Sequence, residues 1–132
     1  MEKYGQHGDL VVSFLDEVAH QDLATWQAIS DGPLDVTKDT VAATDAITKA
    51  DIPEGVRRAV ADLGTQAYAQ LDLDPGDFPG PLQRGLIAIR INSAVFAIAG
   101  GSALERAHRE ILLRPFADHG FTSAAEALER VP

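Results

Sequence analysis

Apolar residues recur along this chain at steps of three and four. Leu10, Val11, Phe14, Leu15 and Val18 form a first stripe. That is the spacing of one helix face, with Asp9 standing where a cap would. A shorter stripe of Leu23, Trp26 and Ile29 ends at Asp31-Gly32-Pro33. From Thr37 to Ala50 the pattern thins, with Val41, Ala43 and Ile47 as its inward positions. Threonines there lower the helix propensity. Asp51-Ile52-Pro53-Glu54 reads as a capping box with proline in the first turn. Val56, Ala59, Val60, Leu63, Ala67 and Leu71 then follow on one face. Leu71 to Pro81 carries Pro75-Gly76 and Pro79-Gly80-Pro81, which predicts a long loop.

The run from Gly85 to Gly101 is apolar on every side, interrupted only by Arg90 and Asn92 near its middle and by Ser93. Ile87 to Asn92 alternates as a strand would, and Asn92-Ser93 could turn a hairpin. Its alanines argue the other way, because alanine favours helices and disfavours strands. Helical neighbours would also leave a hairpin no sheet to join. Gly100-Gly101 stop the segment, and Ser102-Ala103-Leu104-Glu105 reads as a second capping box. Leu104, Ala107, His108, Ile111 and Leu112 share the face of the next helix, which Pro115 should end or kink. Phe116 and Phe121 are expected to fold back over the core, or else to form a small contact patch. Ser123-Ala124-Ala125-Glu126 opens a last short helix. The pattern predicts an all-α fold: a compact bundle of five to seven helices around a central apolar helix at about 82–99. The 132 residues fit one domain.

Composition narrows the function classes. The chain has no cysteine, so thiol chemistry and cysteine metal sites are excluded. Its net charge of −9 argues against nucleic acid and against an anionic membrane surface. Residues 1–55 hold eleven acids and three bases, whereas 56–132 hold nine acids and eight bases. The acidic half could meet a basic partner or a cation. Met1 to Gly8 is polar without an apolar core, so no signal peptide is expected, and the longest apolar run is shorter than a membrane span of ~20 residues. A cytoplasmic protein is expected.

Candidate chemistry is sparse. Residues two apart on a helix point about 200° apart, so Arg90 and Asn92 face opposite sides of the central helix. A buried guanidinium needs an acidic or carbonyl partner, or else it recognises an anion. His108 falls on the apolar face of its helix, where it is either a core histidine or a pocket ligand. Glu17-Val18-Ala19-His20 and Glu105-Arg106-Ala107-His108 have the spacing of di-iron bundles, but further inward glutamates are missing. Asp72, Asp74 and Asp77 lack calcium-loop spacing. Gly100-Gly101-Ser102 could receive an anion, with Arg106 or Arg109 assisting. No nucleophile elbow, phosphate loop or dinucleotide fingerprint is present, and no metal or cofactor is expected. The reading is a non-enzymatic interaction or self-association module, an adaptor or regulatory subunit. It would pair as a homodimer that covers the central helix, or bind another protein. The alternative is a pocket for a small anionic ligand near Arg90, Asn92 and His108.

Overall fold

The computed structural model describes residues 4–5, 7–30, 45–69 and 80–130. Among them lie helices α1 (Gly8–Ala19), α2 (Leu23–Ser30), α3 (45–49), α4 (Glu54–Ala69), α5 (Gly80–Gly100), α6 (Arg106–Ala117) and α7 (Thr122–Arg130). A 3-10 turn, Gly101–Ala103, joins α5 to α6, and no strand occurs among the described residues. This is the expected all-α bundle. The Asp31-Gly32-Pro33 stop, Val41, Ala43 and the Asp72–Asp77 acids lie outside the described residues.

α5 is the axis of the bundle, and α1, α2, α4, α6 and α7 all pack on it. It runs unbroken through Asn92 and Ser93, so the hairpin alternative does not hold. Between residues 87 and 100 only Ile89 is exposed. From residue 87 onward, α5 is thus covered within the chain. An apolar run without a polar face is what a helix enclosed by five neighbours requires.

Several boundaries moved, each for a local reason. Gly80 and Pro81 belong to α5 rather than to the preceding loop; proline is tolerated in a first turn because its missing N–H would have no partner there. Pro53 lies just before α4, its carbonyl accepting the Arg57 N–H at 3.0 Å. Asp9 does not cap α1, whose N-cap is His7. The Ser102 capping box opens no α-helix. Gly101 takes a φ of +50°, a left-handed turn that favours glycine. Leu104 then runs extended and is buried, which delays α6 until Arg106. Pro115 sits inside α6, which continues to Ala117. α7 starts at Thr122, one residue before its expected box.

The cap of α7 comes from α1. The Glu17 carboxylate accepts from the Thr122 N–H (2.9 Å), the Thr122 hydroxyl (2.7 Å), the Ser123 N–H (3.1 Å) and the Ser123 hydroxyl. Those amides have no partner within α7, and the carboxylate meets the positive end of its dipole. At the other end of the pair, Arg130 of α7 reaches both oxygens of Asp9 at 3.2 Å. Glu17 and Asp9 are eight positions apart on α1, and Thr122 and Arg130 are eight apart on α7. The two helices therefore run antiparallel, and matched polar contacts at both ends fix their register.

Partial burial pushes the Glu17 carboxyl up, but the hydrogen bonds from Ser123 and Thr122 outweigh it and hold the group below its ordinary 4.5. Its contribution is complete above that ordinary value and is lost as pH falls through the lowered native value. Glu17→Ala is expected to cost about 1–2 kcal/mol, the size of a lost cap. Urea unfolding should show the full gap to wild type at neutral pH, and a gap that shrinks below about pH 4. A gap independent of pH would contradict this role.

Four aromatic rings close the core beneath α7. Phe14 and Phe116 meet edge-on at 5.1 Å, and Phe121 lies 5.5, 5.2 and 6.0 Å from Phe14, Phe116 and Trp26. Phe116 and Phe121 are both buried, as expected for rings that fold back over the core.

Candidate functional site

The three polar residues singled out from the sequence meet three different neighbours. Arg90 is 7% exposed, and its guanidinium donates to the carbonyl of Ile29 in the last turn of α2. Last-turn carbonyls lack helical partners, and a cation suits the negative end of the dipole. Burial lowers the affinity of Arg90 for its proton, yet an arginine keeps its charge.

Asn92 points the other way, toward α4. Its Oδ1 is buried without a hydrogen-bond partner and lies against Gly64, where an added Cβ would overlap it. Gly64 is therefore the position that lets α4 approach α5 this closely. Gly64→Ala is expected to cost about 1–3 kcal/mol by overpacking. The double variant Gly64→Ala/Asn92→Ala should be at least as stable as Asn92→Ala alone, because alanine is favoured over glycine in a helix by about 1 kcal/mol. Additive losses in a denaturant cycle would contradict the contact.

His108 lines an open cleft against residues 45–50. Its Nδ1 is buried without a hydrogen-bond partner, and the exposed Glu105 carboxylate lies 3.9 Å away. Among the described clefts, none is lined by two of the three residues.

Two further arginines act as Arg90 does: sequence reasoning passed over Arg57 and gave Arg109 only to anion capture. The Arg57 Nη2 donates to the carbonyls of Ile47 (2.8 Å), Thr48 (3.2 Å) and Ala50 (2.5 Å), gathering the end of α3. Its Nε donates to Ile52 at 3.2 Å. Arg109 is 3% exposed, and its Nε donates to the Leu104 carbonyl at 3.3 Å. Each is the fourth residue of its helix and reaches a carbonyl five positions back. A cation in a first turn opposes the helix dipole. That opposition is the signal that could have marked both.

Two clefts of similar size flank Ala103. The first, of about 440 Å³, has Ile52, Pro53, Val56 and Ala99 among its walls, with Asp51 and Ser102 as its polar groups and Gly5 and Gly100 alongside. The second, of about 430 Å³, includes Asp45, Lys49, Glu105 and His108. Lys49 is paired with Asp45 at 2.9 Å. Together these clefts place three carboxylates against one ammonium. Anion capture at Gly100-Gly101-Ser102 is disfavoured by the Asp51 carboxylate and by the carbonyl end of α5 in the same cleft. A third cleft, between α6 and α7, holds Arg106, Glu110, Arg114 and Glu129, and there Arg114 is neutralised by Glu110 at 2.8 Å.

Neither Glu-x-x-His pair assembles as in a di-iron site. Glu17 is committed to α7, and the exposed His20 Nδ1 lies 2.7 Å from the Asp16 carbonyl. Glu105 is the N-cap of α6 rather than part of the helix. Among the described residues, no three metal-ligating side chains lie together, and no helix is long and apolar enough to cross a membrane. No protein-family model matches the chain, and neither does any curated protein or solved structure.

Proposed function

We propose that the protein is a non-enzymatic helical binding module, and that residues 45–56 and 99–108 form its partner face. The observation that carries this reading is the pair of adjacent clefts on that face, with three carboxylates and one lysine among their walls. A chain of net charge −9 would attract a basic partner to it. The same charge speaks against a homodimer through this face, since a two-fold contact would set like charges together. A basic protein segment is therefore the preferred occupant. The anionic-ligand alternative is weaker, because only His108 of its three residues faces a described cleft.

An NMR titration of the ¹⁵N-labelled protein tests this. The probe is a lysine-leucine decapeptide, with a glutamate-leucine decapeptide as control. Saturable shifts confined to 45–56 and 99–108 are expected with the basic peptide alone, weakening as salt screens the charges. Equal binding of the acidic peptide, or no binding of the basic one, would overturn the reading.

A further inference from the structure

We infer that the cleft beside Asp51 seats the side chain of a lysine from that basic partner, an inference that rests on the partner face proposed above. The cleft is about 440 Å³, within the range of pockets that enclose a ligand group. Its walls divide by chemistry. Ile52, Pro53, Val56 and Ala99 offer apolar surface, and among the described residues no cationic side chain lines it. Among the described residues its one charged group is the Asp51 carboxylate, and Asp51 is exposed at the surface. The cleft also lies at the C-terminal end of α5, a 21-residue helix whose dipole presents negative charge there.

A group that suits all these walls has an apolar stem and a compact positive tip. Lysine has both, with four methylenes that can lie on apolar surface and three rotatable donors at the ammonium. Lysine is preferred to arginine because its compact ammonium can turn its donors to a single exposed carboxylate at the end of an apolar stem, whereas the planar fork of arginine is matched to a carboxylate held for bidentate pairing. The neighbouring cleft differs, since its lysine already holds Asp45.

The test uses the full chain and n-butylammonium chloride as the side-chain mimic, with n-butanol and sodium butyrate as controls. Butylammonium should shift the amides of Asp51, Val56, Gly100 and Ser102. It should bind about two- to fivefold more tightly than butanol, the worth of one exposed ion pair. Asp51→Asn should remove that preference while leaving the melting temperature unchanged, because Asp51 is exposed. Replacing the peptide lysines by arginine should weaken peptide binding, and Asp51→Asn should erase the difference. Equal binding of butanol and butylammonium, or an unchanged preference in Asp51→Asn, would overturn the inference. If the decapeptide binds the face while butylammonium leaves the Asp51 cleft unperturbed, the lysine assignment fails and the partner face stands. If butylammonium binds and the peptide does not, the occupant is a free amine and both proposals fail.

Discussion

Phe121→Ala is expected to lower the unfolding free energy by about 3–5 kcal/mol, the range for truncating a buried phenylalanine. The ring is fully buried and touches Phe14, Phe116 and Trp26, so its removal opens a cavity bounded by three large, fixed neighbours. Such a wall cannot collapse easily, which places the cost toward the upper end of the range. Phe121 also precedes α7, and its carbonyl accepts the Ala125 N–H at 3.2 Å. A cavity here therefore loosens the entry to α7 as well as the core beneath it. Differential scanning calorimetry should show a fall in Tm of roughly 14–18 °C for a chain of this size. Phe121→Leu should cost about half as much, because more of the volume is kept. A loss below about 1 kcal/mol for Phe121→Ala would mean that the ring cluster does not hold the core.

Arg90→Ala is expected to cost about 3 kcal/mol. Part of that is the carbonyl of Ile29 left buried without its donor, about 1–3 kcal/mol, and the rest is lost packing of the side-chain stem. Arg90→Met separates the two. Methionine restores most of the stem but not the donor, so it recovers the packing share of the loss and not the share due to the Ile29 carbonyl. Guanidinium unfolding should place Arg90→Met between Arg90→Ala and wild type, because methionine refills the stem while the Ile29 carbonyl still lacks its donor. If both variants match wild type, Arg90 does not hold α2 to α5. If Met is as poor as Ala, the hydrogen bond to Ile29 outweighs the packing.

The fold was legible where periodicity and composition agreed. The alanines of α5 and its enclosure by helical stripes on both sides were enough to assign a central helix. Helical geometry also set Arg90 and Asn92 on opposite sides. Their partners were not legible, because Ile29 lies 61 positions from Arg90, and Gly64 carries no side chain to mark the contact. The Glu17 cap spans 105 positions and leaves no local signature. Local signatures also misplaced helix starts. Ser102 heads a capping box, yet the left-handed Gly101 and the buried Leu104 override it. The arginines were readable in principle. Arg57 and Arg109 stand where a helix dipole disfavours a cation, so each needed a reason, and a backbone carbonyl supplies it.

These placements imply a division of labour. Arg57, Arg90, Arg109 and Glu17 hold helix ends together, and the clefts flanking Ala103 are the face we propose for a partner. The most direct test is the affinity of Arg90→Met for the lysine-leucine decapeptide, measured well below its melting temperature. The account predicts binding within about twofold of wild type, since a difference under 0.5 kcal/mol is what a distant, independent site gives. A folded Arg90→Met that no longer binds the peptide would contradict it.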